Sequence, residues 1–309
     1  MAERVLAIQA QDPRGARLAI RARSDGLSAA DVDRALTDER SLVLTWLNRG
    51  TLHLVRSEDY GWLHALTTPQ LLRTGNLRRL AQEGVGADAA GRGVAVIERA
   101  LADEGPLTRE QLRDRLLAAG LRTEGQALIH LVFAASLRGL IIRGPMLGKQ
   151  HAYVLVRDWL GAQEPVDRDR ALPELARRYL AGHAPATDRD LAKWAGITLR
   201  DARAGLAAAG EQPQPGAAPL PLPPPRLLGS YDPLLHGWAS RAEVLGEHDA
   251  KVVSGGLFRP FALAGGRGVA TWALRDGGVE LRPFARVAPA VRTALETDAG
   301  DLVRFLGQR

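Results

Sequence analysis

The sequence contains no cysteine. That absence excludes disulfides, thiolate nucleophiles, iron–sulfur clusters and cysteine-bound zinc together. Lysine is scarce as well: three of the 41 basic residues are lysines (Lys149, Lys193, Lys251) and the rest are arginines. No apolar run reaches the length of a membrane span, and the longest, residues 127–137, stops at Arg138. The N-terminus lacks the pattern of a secretory signal. Metal-ligand spacing of His, Asp and Glu, a Walker-type phosphate loop and a Ser-His-Asp order are all missing. These absences lead to the expectation of a cytoplasmic protein that uses no metal and no cofactor and has no membrane partner.

With 309 residues, 46% of them hydrophobic, the chain can bury sizeable cores. Its formal charge of +6 is carried mostly by arginine, which grips phosphates and base edges bidentately. A chain rich in Ala, Gly and Arg also follows from GC-rich coding, so the charge permits nucleic-acid binding without establishing it.

Three segments share one local grammar. Ser28/Asp31, Thr108/Gln111 and Thr187/Asp190 each place a hydroxyl three residues before an acid or amide, the pattern of a capping box. Each is followed by an apolar pair four residues apart: Val32 and Leu36, Leu112 and Leu116, Leu191 and Ala195. The caps lie 80 and 79 residues apart, which argues for tandem copies of one unit. In the second copy the pattern predicts helices over 109–119 and 124–138, then strands over 140–142 and 153–156 around a loop with Lys149. That is the order of a winged helix. The first copy predicts a helix from Ala29, a second helix reaching Asn48, an Arg49-Gly50 stop and a strand over 51–55. The third predicts a helix–Gly196–helix turn and then a Pro-rich linker over 211–225.

Beyond Arg226, period-two stretches near 252–253, 257–263, 269–274 and 279–284 alternate with Gly pairs and predict a β meander closing into a small barrel. An amphipathic helix over 289–305 follows. The expected organisation is α+β: a first winged-helix domain over 1–90, a second over 91–165, a third helix-turn-helix with linker over 166–225, and a barrel with its helix over 226–309.

The most informative short motif is Gln9-Ala10-Gln11-Asp12-Pro13. The residue before a proline is pushed out of the α region, so Asp12-Pro13 reads as the cap and first turn of a helix over 14–23. If residues 9–11 are extended, the two glutamine side chains project to one side. Two neutral amides then share a small volume beside a helix N-terminus and can hold a water or a polar ligand. Solvent-facing decoration is the bland alternative.

Ile8-Gln-Ala-Gln-Asp-Pro-Arg14, Asn48-Arg-Gly-Thr-Leu-His-Leu54, Leu228-Gly-Ser-Tyr-Asp-Pro-Leu-Leu235 and Leu302-Val-Arg-Phe-Leu-Gly307 together resemble the AlkZ-like winged-helix DNA glycosylases of the YcaQ/AlkZ superfamily. The blocks span nearly the whole chain in the family's order. The resemblance implies three tandem winged helices and a β-barrel in a C-shaped clamp around double-stranded DNA. It implies removal of alkylated bases, N7-alkylguanine among them and interstrand crosslinks in some members. It also implies a catalytic Gln–aliphatic–Gln motif, here Gln9 and Gln11, with Ala10 a small middle residue. Similar proteins carry a helical lead before this motif, whereas eight residues precede Gln9 here. Either the start lies upstream or the first unit is shortened, and a shortened unit would support the pair poorly.

The chemistry fits the motif. Glutamine is not a general base of the usual kind, but its carbonyl oxygen can orient a water. That suffices when the leaving group is already cationic, as in N7- or N3-alkylpurines. The expectation is a monofunctional, monomeric, nucleoid-associated glycosylase that leaves an abasic site, since no lysine stands beside the motif for Schiff-base chemistry. Arg14, Arg49, His53, Arg138, Lys149 and Arg267 are candidate DNA contacts, with Arg267 presented by a Gly-rich hairpin toward a minor groove. A structural, half-buried His53 is the competing view. Asp232 reads as a helix cap, and Trp46, Trp62 and Trp238 as core in preference to base-stacking residues. An open site is expected, with both glutamines solvent-exposed on the concave face. The alternative function is a non-catalytic winged-helix DNA-binding or regulatory protein. A protein-interaction scaffold is a further reading, one that predicts no salt-sensitive binding to duplex DNA.

Overall fold

The computed structural model describes residues 1–148, 150–210 and 222–307, apart from the side chains of Arg73 and Thr74. The chain divides into two compact units. One comprises Met1–Asp33, Pro173–Trp194 and Thr198–Arg309, the other Arg34–Leu172 with Ala195–Ile197. Secondary structure is mixed α and β in both. Lys149, and most of the Pro-rich linker at 211–221, lie outside the described residues.

All three caps form as the sequence dictates. The N-cap N–H donates to the third residue's side chain at 2.8 Å and the return bond to the hydroxyl is 3.3 Å, at Ser28/Asp31, Thr108/Gln111 and Thr187/Asp190 alike. They open helices Ala29–Thr37, Arg109–Ala118 and Asp188–Ala195. All six apolar residues expected to face inward are at most 5% exposed. A fourth cap, Thr198 accepting from the Asp201 N–H at 3.1 Å, starts Leu199–Ala209.

In the second unit the helices Ala87–Glu104, Arg109–Ala118 and Ala127–Leu137 precede a hairpin of Ile141–Leu147 and Gln150–Leu155. Leu112, Leu116, Leu131, Ile141 and Tyr153 belong to one core there. The expected second helix of the first copy is absent: Leu42–Leu47 is a strand, paired antiparallel with Thr51–Arg56 from Leu42↔Arg56 to Leu47↔Thr51. It also pairs with the following hairpin at Leu44↔Arg143. Five of its six residues are buried, so both faces are covered and periodicity could not tell strand from helix. Trp46 packs edge-on to Phe133 with centroids 5.5 Å apart, a core position.

In the first unit the meander forms an antiparallel sheet in which Arg226–Leu228, Phe261–Ala264, Arg267–Arg275 and Gly278–Pro283 are successive neighbours. Val253–Ser254 and Leu257–Phe258 make a separate ladder. Among the described residues this pairing is open at both edges and does not close into a barrel. The last helix spans Pro289–Phe305 as expected.

Candidate active site

The site begins with the cap. Asp12 is extended (φ −105°, ψ 112°), its carboxylate accepts from the Arg14 N–H at 3.0 Å, and Pro13 takes the first helical position of Pro13–Arg21. This fixes the direction in which residues 9–11 enter. Residues 6–10 form a continuous buried run, with Leu6 1%, Ala7 3%, Ile8 0%, Gln9 5% and Ala10 2% exposed, while Gln11 is exposed. The expectation that both glutamines face solvent therefore needs correcting for Gln9, which the apolar run carries inside. Gln9 is packed inside, and Gln11 is supported through it. Gln9 Nε2 donates to Gln11 Oε1. An interior amide thus holds the amide at the surface.

The helix start is locked to the segment at 228–235. An ideal Cβ on Gly15 would stand 2.2 Å from the Ser230 carbonyl oxygen, and one on Gly229 would stand 2.9 Å from the Gly15 Cα. Only glycine at both positions permits this approach. Just beyond, Tyr231 has φ 57°. Asp232 is fully buried and caps the short turn Pro233–Leu235 through the Leu234 N–H at 3.0 Å. It also takes a bidentate pair from Arg23 at 2.6 and 2.9 Å. Burial works to lower the Arg23 pKa, but the charge and hydrogen bonds of Asp232 outweigh it and hold it above the ordinary value. Asp232 is thus a cap and a counter-ion. Arg21 and Asp298, 3% and 4% exposed, form a second buried pair at 2.5 and 3.0 Å. It ties the same helix to Pro289–Phe305.

The remaining candidates separate by exposure. Arg14 and Arg267 in the first unit and Arg138 in the second are exposed, with no side-chain ion pair among the described residues. Arg267 starts a strand, beside a Gly265-Gly266 turn with φ of 58° and 75°. Arg49 is half-buried at the left-handed position of the Asn48–Gly50 turn (φ 52°), and loss of solvent lowers its pKa. Its backbone nitrogen stands 2.6 Å from where a Cβ of Gly196 would be. His53 has to be corrected as a phosphate contact: it is 2% exposed and its Nδ1–H donates to the Thr51 carbonyl at 2.9 Å. Its inward strand position holds the ring away from the surface. Trp62 and Trp238 donate their ring N–H to Asp59 Oδ1 at 3.1 Å and to the His183 carbonyl at 3.0 Å. Ser57 is the first residue of the helix Ser57–Thr67, and its hydroxyl donates to the Arg40 carbonyl. Among the described residues no three His, Asp or Glu gather as metal ligands, and no helix is long and apolar enough to cross a membrane.

Two of the four motif blocks meet at one helix start in the first unit: Gln9–Pro13 leads into the helix, and the backbone of Gly229 and Ser230 packs against Gly15 in its first turn. The sequence marks the 228–235 block but carries no signal that its Gly229–Ser230 backbone packs on Gly15. The chain is 27% identical over 341 residues to an interstrand DNA cross-link repair glycosylase of Streptomyces sahachiroi, covering 98% of this chain and 89% of that protein. The fold superposes on the solved structure of the Streptomyces sahachiroi DNA glycosylase AlkZ with a TM-score of 0.79 at 23% identity, over 99% of this chain and 90% of that one. The family model for AlkZ-like DNA glycosylases matches residues 2–305, and the chain therefore belongs to the AlkZ-like DNA glycosylase family, enzymes that act on N-glycosyl bonds.

Proposed function

We propose that this glycosylase hydrolyses the N-glycosidic bond of cationic N-alkylated purines in duplex DNA, with Gln9 and Gln11 as its catalytic residues. The observation that carries the reading is the split of the pair: a buried Gln9 amide donates to an exposed Gln11. A carboxamide oxygen has two lone pairs. One on Gln11 Oε1 receives Gln9, and the other orients an attacking water. The C1′–N9 bond breaks with its electron pair moving onto the cationic base, which leaves neutral. Water adds to C1′ and its proton passes to solvent. No strong acid or base is needed because the leaving group is already charged, which is why neutral lesions such as uracil are poor substrates for this pair.

Exposed Arg14, Arg138 and Arg267, with Arg49, supply backbone contacts in this reading. The named function of the Streptomyces sahachiroi relative supports extending the substrate class to purines crosslinked through N7, and an exposed Gln11 suits a base that cannot be swallowed by a deep pocket. The helix–helix–helix–hairpin order at 87–155 supports a winged-helix reading of that segment. Three such units before a sheet-rich C-terminal segment, acting as a monomer in association with the nucleoid, complete the proposal.

Incubation with N7-methylguanine duplex, followed by alkaline cleavage at abasic sites, tests it. The expected result is enzyme-dependent strand breaks at the lesion, and none at uracil. Breaks no more frequent than without enzyme would overturn the assignment.

A further inference from the structure

Tyr231 is an aromatic residue held in the left-handed region, at φ 57°. A bulky side chain there is a genuine outlier, and such strain persists only where the surroundings impose it. Here they impose it from both sides. Upstream, Gly229 and Ser230 are pressed backbone to backbone against Gly15. Downstream, the buried Asp232 is fastened to Arg23 and to the Leu234 N–H. Between these locks the ring of Tyr231 is only partly covered. It lies parallel to the His236 ring, centroids 6.3 Å apart at 10°, and 5.4 Å from Phe258. Its hydroxyl makes no hydrogen bond among the described residues. The ring contacts account for an aromatic side chain but not for the hydroxyl, and asparagine would suit the backbone better.

Ser230, the residue before it, touches Gly15 in the first turn of the helix Pro13–Arg21, which follows the Gln pair. We propose that Tyr231 is a lesion-contacting residue that offers its ring face to the alkylated purine and thereby selects the cationic base. This rests on the reading of Gln9 and Gln11 given above. A cation over a tyrosine face is attracted by the ring quadrupole, more strongly as water is excluded. A neutral base of the same shape gains only the stacking. The aromatic shelf behind Tyr231 fixes the ring's orientation, and the rigid turn keeps it there at no cost when the lesion arrives.

The test compares binding to two duplexes. One carries a 2′-fluoro-stabilised N7-methylguanine, cationic and slow to cleave; the other carries 7-methyl-7-deazaguanine, its neutral isostere. Wild type is expected to prefer the cationic duplex by about tenfold. Tyr231→Asn keeps the left-handed turn without the ring, and should bring that preference close to one while melting no lower than wild type. Tyr231→Phe keeps the ring and should keep the preference. A Tyr231→Asn protein that retains the full preference overturns the proposal, as does a wild type with no preference. Base release by wild type and its loss in Gln11→Ala, measured alongside, keep this failure separate from failure of the catalytic assignment.

Discussion

In the proposed mechanism, position 11 has to be neutral, fixed and within reach of water at once. Gln11 meets these demands because Gln9, one residue away in an extended segment, is buried and gives it a hydrogen bond. The pairing of the two amides was legible from the i, i+2 spacing. Their unequal burial was not predicted, although the apolar run at 5–8 ahead of Gln9 carried the signal. The same helix shows a different use of polar residues. Arg21 and Asp298 are buried together, and Asp298 also accepts from Arg226 at 2.8 Å and from the Leu227 N–H at 2.7 Å. Their partners lie far apart in the chain, so no local pattern announces them. Removing one side strands a buried charge, so Asp298→Ala is expected to cost about 3–5 kcal/mol in urea unfolding. A loss below about 1 kcal/mol would show that the pair is not closed in solution.

At the scale of elements, much of what is set by local chemistry was legible, though the Thr198 cap was not singled out. Caps, the Asp12-Pro13 helix start, the glycine-separated strands and the last helix all follow from nearest-neighbour rules. The strand Leu42–Leu47 was not, because an apolar run buried on both faces has no period to read. Nor could a sequence show that Gly15 and Gly229 touch. That contact makes a clear prediction: in Gly15→Ala the new Cβ meets the Ser230 carbonyl at 2.2 Å, and a backbone oxygen cannot swing aside. The expected cost is about 2–3 kcal/mol, seen as a lower denaturation midpoint, even though alanine is the better helix former. Gly91→Ala, in the helix Ala87–Glu104 with open space at its Cβ, should instead be neutral or stabilising.

For the molecule as a whole, the buried His183 and the half-buried His64 contribute a pH dependence. Burial lowers the pKa of His64 and of His183, outweighing the backbone bonds to Ser136 and Tyr179 that favour the charged rings. Both are neutral in the folded state over a range where the unfolded chain takes up protons, from about pH 6.5 downward. Stability is thus fully present above that pH and falls as the pH drops below it. Urea midpoints between pH 8 and pH 5 should trace this decline, with a shallower slope in His64→Gln. An unchanged slope would remove His64 from the account. Family membership itself was legible because separated blocks stood in one order, while the division into compact units depends on contacts that no block encodes.

In the proposed mechanism an exposed neutral amide, held by a buried one, orients the water that breaks the glycosidic bond. Single-turnover base release from N7-methylguanine duplex by Gln11→Ala, with duplex affinity measured on the same preparation, tests it most directly. The expected result is a fall in release of about 100-fold with affinity within about threefold of wild type, because the proposed role of Gln11 is to orient water and not to grip the backbone. Release at the wild-type rate, or release and binding lost in equal measure, would contradict it.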